Sequence, residues 1–295
     1  MTDISQAATL APGTGRAAGR IGLLLRSRNG IVGLVIIVVL LLLSLASALH
    51  LLPYDPLAQA PAVRLQGPSP AHWFGTDQFG RDVFSRVAAG LANSFLIAVV
   101  AVTFATIVGT LAGVTAGFYR KGADATISGL TNVLFAFPPL LLALTLASVF
   151  TRTWFTIAVA IAIVYVPIFI RVTRGPVLSL REIEFVKAAT ATGQSRVSIM
   201  VHHVLPNITS IIIVQVTLSL SWAVLTEASL SFLGLGTPPP APSLGSMIYE
   251  TRTLVNIAPW TMIAPGVVVV LLVVGLNLLG DGLRDALDPR NRGRA

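Results

Sequence analysis

Six continuous apolar stretches, residues 31 to 52, 92 to 118, 128 to 150, 154 to 174, 208 to 233 and 259 to 280, constrain this chain more than any other feature. As a helix rising about 1.5 Å per residue, each is long enough to cross a hydrocarbon core about 30 Å thick. The runs are continuous, whereas a membrane-barrel strand alternates apolar and polar residues over about ten positions, so helices are implied. Composition agrees: of 295 residues, 54% are hydrophobic and 11% charged, where a soluble domain has about a quarter charged. The expected fold class is an all-α integral membrane protein with six transmembrane helices.

The cations set the expected orientation. Arg16, Arg20, Arg26 and Arg28 precede the first span, Arg120 and Lys121 follow the second, five cations lie from Arg171 to Arg196, and four follow the sixth. The intervening segments hold only Arg64, Arg81, Arg86, Arg152 and Arg252. By the positive-inside rule both termini are cytoplasmic, N-in and C-in. The net charge of +8 therefore reads as juxtamembrane cations that meet anionic lipid, and not as a nucleic-acid surface. The absence of cysteine removes disulfides and thiolate metal sites. Arg28 before an apolar run, with Ala46-Ser47-Ala48 after it, has the outline of a secretory signal. The run continues through Leu51 and Leu52, longer than a signal's apolar region, and reads as a retained span.

The organisation expected is a flexible cytoplasmic tail over 1–30, a first transmembrane helix with an external segment over 31–91, a five-helix core over 92–280 and a cytoplasmic tail over 281–295. In the external segment Pro53, Pro56, Pro61, Pro68 and Pro70 interrupt any helix before the run Phe74-Gly75-Thr76-Asp77-Gln78-Phe79-Gly80-Arg81-Asp82. That segment either touches an external partner or merely closes the outer mouth. In the second span Gly109, Gly113 and Gly117 fall at i, i+4 and i+8, a face that lets helix backbones approach closely in lipid. Pro138 and Pro139, Pro167 and Pro265 each remove a backbone donor and are candidate kinks, and kinked helices can line a cavity.

Between the fourth and fifth spans, Ser179-Leu180-Arg181-Glu182 matches a capping box, so a helix is expected to start there and run to Gly193. Val197, Met200, Val201 and Val204 then repeat with helical spacing, and Pro206 is expected to close the segment before the fifth span. These two short cytoplasmic helices either rest on lipid or dock a protein.

The chain lacks recognisable catalytic patterns. Lys121 is followed by Gly122 and Lys187 by Ala188, so neither completes a nucleotide-cradling G-x-x-x-x-G-K-[ST] loop. His50, His72, His202 and His203 form no H-E-x-x-H zinc helix. No catalytic residue, metal site or cofactor is assigned to this chain. Within the spans, Glu227 is the clear ionisable residue, and with Gln215 and Trp222 on the same segment it is the tentative translocation-path candidate.

Lys187-Ala188-Ala189, Gly193 and Leu205-Pro206 resemble the E-A-A-x-x-x-G-x(9)-I-x-L-P signature of ABC importer permeases, with Lys187 in place of Glu and His203 in place of Ile. Phe74 to Val83, Phe135-Ala136-Phe137-Pro138, Glu227 to Gly236 and Asn277 to Asp285 are similar to the C-type permease of dipeptide and oligopeptide importers. The resemblance covers about residues 22 to 290. It implies a bacterial or archaeal plasma-membrane subunit that pairs with a second, homologous permease. It also implies two cytoplasmic ATPases, which bind ATP and Mg, an external substrate-binding protein, and alternating access. In that family the signature helix docks on the ATPase, which assigns coupling to Glu182, Glu184, Phe185, Val186, Lys187, Ala188, Ala189 and Gly193. Relatives carry dipeptides, oligopeptides, glutathione or metal chelates. The competing reading is a chain that acts alone as a secondary carrier or intramembrane enzyme.

Overall fold

Each apolar stretch folds largely as helix, one of them as two, because backbone N–H and C=O groups at membrane depth have only one another to bond. The computed structural model describes residues 27–119 and 121–287. The tail cations Arg16, Arg20 and Arg26, as well as Arg120, Arg290, Arg292 and Arg294, lie outside the described residues. The helices are α1 (Arg28–Ala48), α2 (Val83–Tyr119), α3 (Lys121–Phe135), α4 (Pro139–Val149), α5 (Trp154–Leu180), α6 (Glu184–Ala191), α7 (Arg196–Phe232), α8 (Leu244–Thr251) and α9 (Trp260–Leu287). Among the described residues, α1, α2, α5, α7 and α9 are long and apolar enough to cross a membrane, and the bent pair α3 and α4 makes a sixth span if counted as one.

Several boundaries differ from the sequence expectation. The third span is broken at Ala136 to Pro138, with α3 and α4 at 91°. Two consecutive prolines withhold both N–H groups and disfavour a helical residue before them, so the helix stops and restarts with Pro139 at its first turn. Pro167 and Pro265, in contrast, sit inside helices that continue through them. Pro206 does not close a segment either. The fifth span is one 37-residue helix, Arg196–Phe232, and a π turn over Met200–Val204 ends two residues before the proline. The wider turn relieves the contact that a proline ring makes with the carbonyl four residues back. Helix α2 begins nine residues earlier than the apolar run because Arg86, in its first turns, is paired and buried.

Helix α5 is the centre of the bundle and α1 its periphery: 56% of the most apolar window is buried in α5 against 17% in α1. The most extensive helix pair is α2 with α5, and the glycine face makes it so. A Cβ on Gly109 would stand 2.7 Å from Val166 O, one on Gly113 2.6 Å from Ile170 O, and one on Gly117 3.0 Å from Arg174 O. Backbone therefore meets backbone along the seam, and dispersion contacts replace the hydrophobic drive that lipid does not supply. Arg174 closes the bundle at this end, with Nε and Nη2 donating to the two carboxylate oxygens of Asp124 on α3 at 2.6 and 2.8 Å.

Candidate functional site

At the end of the bundle where α2 begins, the chain before it is held by a network of hydrogen bonds and ion pairs. Asp77 accepts N–H bonds from Phe79 and Arg81 on Oδ1 at 2.8 and 3.0 Å and pairs through Oδ2 with Arg81 Nε at 2.6 Å. Arg81 and Arg86 both reach Glu250 Oε2 on α8, at 3.2 and 3.3 Å. Asp82 starts α2 by accepting from Ser85 N at 2.8 Å, while its other oxygen lies 2.9 Å from His72 Nδ1. Trp260 Nε1 donates to Thr76 O at 3.1 Å. These bonds tie the Phe74 to Asp82 run to α8 and α9.

Helix α8 is a short element that the sequence reading did not anticipate. Ser243 caps it, accepting from Ser246 N at 3.2 Å, and its hydroxyl donates to Ser231 Oγ at 3.1 Å. Ser231 in turn donates to Glu227 Oε1 at 2.7 Å. Glu227 is fully buried. It thus joins α7 to the start of α8 inside the protein, and does not share a surface with Gln215 and Trp222. Seven residues bring Gln215 and Trp222 onto one helical face, whereas five more turn Glu227 well away from it.

Gln215 and Trp222 do line a cavity of about 530 Å³ between α4, α5 and α7. Pro139 and Leu140 supply the restart of the broken span, and α5 supplies Tyr165, whose hydroxyl is 3.1 Å from Thr226 Oγ1. Gln215 Nε2 donates to Ser219 Oγ at 3.1 Å. The described lining is apolar or neutral and polar, with no charged side chain. Tyr165, Ser219 and Thr226 were missed from sequence. A hydroxyl inside an apolar helix carries no signal of which way it faces, and only the crossing of α5 and α7 brings them together.

The opposite end carries the short helix α6. The S-x-x-E spacing does not start it: α5 continues to Leu180, and Glu182 N donates to Ser179 O at 3.2 Å in the turn that follows. Arg181 Nη1 fixes this turn by donating to Phe118 O at the end of α2, at 2.7 Å. Helix α6 then starts at Glu184 without a side-chain cap. It ends in a Schellman arrangement, with Gln194 N on Ala189 O at 3.2 Å and Gly193 N on Thr190 O at 3.1 Å, and Gly193 at φ +79°. Ser195 caps the next helix, accepting from Ser198 N at 3.2 Å.

The assigned coupling residues divide between two sides of α6. Val186 and Ala189 are buried against Val114, Phe118, Val177, Ile199, Val204 and Ile208 of this chain. Glu182, Glu184, Phe185, Lys187, Ala188 and Gly193 are exposed, and Lys187 Nζ lies 3.5 Å from Glu182 Oε2. Ala189 therefore packs into the chain's own core, on the side of α6 away from Glu184, Lys187 and Ala188. His202 Nδ1 lies 3.0 Å from Ser198 O and His203 Nε2 3.1 Å from Gln194 Oε1. Among the described residues, no group of three His, Cys, Asp or Glu side chains is placed to hold a metal ion.

Residues 109–293 match the family described as "Binding-protein-dependent transport system inner membrane component". The chain is 45% identical to the dipeptide transport system permease protein DppC of Alkalihalophilus pseudofirmus, over 90% of this chain and 87% of that protein. It is 41% identical to the glutathione transport system permease protein GsiD of Pectobacterium atrosepticum, over 85% of this chain and 84% of that protein. Its fold resembles a chain of the MetNI methionine ABC transporter in an inward-facing conformation. The TM-score is 0.55 at 21% identity, covering 68% of this chain and 94% of that one. The chain belongs to the binding-protein-dependent transport system inner membrane component family, as a permease subunit of the ABC importer type.

Proposed function

We propose that this chain is half of the translocation path of an ATP-driven importer for dipeptides, oligopeptides or related small peptides such as glutathione. The observation that carries the reading is the 45% identity to a dipeptide permease over 90% of the chain. A second, homologous permease completes the path, two ATPases bind ATP and Mg beneath it, and an external binding protein delivers the cargo. The subunit sits in a bacterial or archaeal plasma membrane with its α6 end in the cytoplasm and its α8 end outside. Residues 1–30 and 281–295 are cytoplasmic tails, 31–91 the first helix and external segment, and 92–280 the five-helix core.

The chain's own part is mechanical. Glu184, Phe185, Lys187 and Ala188 contact the ATPase, while Val186 and Ala189 lock α6 to the ends of α2, α5 and α7. An ATPase stroke against α6 therefore moves the spanning helices as a body. Gln215 and Trp222 face the path, whose uncharged, mostly apolar lining with a few hydroxyl and amide groups lets a zwitterionic peptide make hydrogen bonds and still leave, as a conduit requires.

The test is to co-express the chain with a second permease, the two ATPases and the binding protein, and to reconstitute the purified assembly. Stoichiometric co-purification, with ATP hydrolysis stimulated by binding protein loaded with a dipeptide, an oligopeptide or glutathione, is the expected result. Substrate transport or cleavage by the chain alone in liposomes, without ATPases, would overturn it.

A further inference from the structure

Beside α6 lies a pocket of about 350 Å³ whose lining includes Tyr119, Arg181, Glu182, Lys187, Thr190 and Arg196. Among the described lining residues, three cations against one carboxylate leave an excess of two positive charges in a small space. The cations are held apart from one another by separate contacts. Arg181 is tied to Phe118 O at 2.7 Å, Lys187 pairs with Glu182 at 3.5 Å, and Arg196 lies 5.5 Å from the Tyr119 ring centroid. Only one of the five guanidinium N–H groups of Arg181 is used by the Phe118 bond, so others remain to meet an anion. Donors that line one pocket suit the oxygens of a phosphate.

The pocket's level in the fold narrows the source of that phosphate. It opens where α2 ends at Tyr119 and α5 at Leu180, the depth at which the apolar runs give way to charge. On α2, Phe104, Val108 and Leu111 are exposed. At 100° per residue they fall, with Tyr119, within one side of the helix. This apolar stripe leads to the mouth of the basic pocket. A cationic pocket at a helix end with an apolar track beside it has the shape and polarity of an anionic lipid, headgroup below and acyl chain along the helix.

We infer that the pocket lined by Arg181, Lys187 and Arg196 binds a phosphate group, that of an anionic phospholipid from the leaflet on the α6 side, next to the helix assigned to ATPase coupling. The inference concerns a site on this chain's own surface. It uses the reading of the α6 end as cytoplasmic only to say which leaflet supplies the lipid.

The experiment uses the assembled complex in nanodiscs of phosphatidylcholine with or without phosphatidylglycerol, and counts retained lipid by native mass spectrometry after transfer to mild detergent. Wild type, Lys187→Gln, Arg196→Gln and the double variant are compared. Arg284→Gln on α9 removes an equal charge outside the pocket. Both pocket substitutions fall on exposed side chains, and melting temperature checks that they fold. Wild type and Arg284→Gln should retain phosphatidylglycerol in preference to phosphatidylcholine, and retention should fall about fivefold for each pocket cation removed. If millimolar inorganic phosphate displaces the lipid in a pocket-dependent manner, free phosphate is an equal ligand and the phosphate assignment stands. If phosphate leaves the lipid in place, the acyl track contributes and the lipid is the ligand. Equal retention by all variants overturns the proposal. So does unchanged lipid retention by Arg196→Gln, because Arg196 lines the pocket and has no place in the ATPase contact. Failure to transport any peptide leaves the lipid count readable, so the two readings fail separately.

Discussion

Glu227 is a fully buried carboxyl group with a serine hydroxyl donating to one oxygen at 2.7 Å. Its role follows from what it connects: Ser231 on the same helix, and through Ser231 the Ser243 cap of α8. Glu227→Gln keeps the shape and an acceptor oxygen for that hydroxyl. We expect normal yield and unchanged uptake, because the side chain does not reach the cavity lined by Gln215 and Trp222. Glu227→Leu removes the acceptor from a buried network and should cost about 1–3 kcal/mol of stability. Thermal melting of the two variants, with uptake at matched membrane level, checks this. Loss of uptake by the Gln variant with normal melting would assign a transport role to the charge itself.

At the scale of the element, α6 depends on its corner. Gly193 has φ +79° and no atom within reach of an added Cβ, so substitution there meets backbone strain and not a clash. Gly193→Val should cost about 1–3 kcal/mol locally. Gly193→Asn, which tolerates this backbone region, should cost less. The six spans should insert normally in both, while co-purified ATPase falls in the order Gly, Asn, Val. Equal ATPase association by all three would remove the corner from the coupling path. Ala189→Asp is a less direct probe of docking than Ala188→Asp. Ala189 is buried against this chain's own Phe118 and Ile199 cluster, so a carboxylate there disrupts the seat of α6 before any partner is involved.

At the scale of the whole molecule, the α2–α5 seam is the most extensive helix pair. Gly113→Leu would drive a side chain into Ile170 O and the Thr173 hydroxyl. Backbone cannot yield as a flexible side chain does, so the helices must part. Membrane yield and subunit stoichiometry should both fall, whereas Gly129→Leu, at a glycine with open space around it, should leave them near wild type. Normal assembly of Gly113→Leu would show that the seam tolerates separation.

The sequence by itself determined where the long apolar helices lie to within a turn or a break, that Gly109, Gly113 and Gly117 share a face, and that Gly193 marks a turn. Those features depend on local composition and helical period, which are properties of contiguous residues. The capping box at Ser179 misled because α5 continues to Leu180 and Glu182 N bonds the backbone carbonyl of Ser179 in the turn that ends it. The tertiary structure decided the rest. Arg81 and Arg86 find Glu250 more than 160 residues away, Tyr165 meets Thr226 across a helix crossing, and Glu227 turns inward while Gln215 and Trp222 face the cavity. Each of these is a relation between distant segments. It is set by the angle and register at which whole helices pack, and no window of sequence contains it.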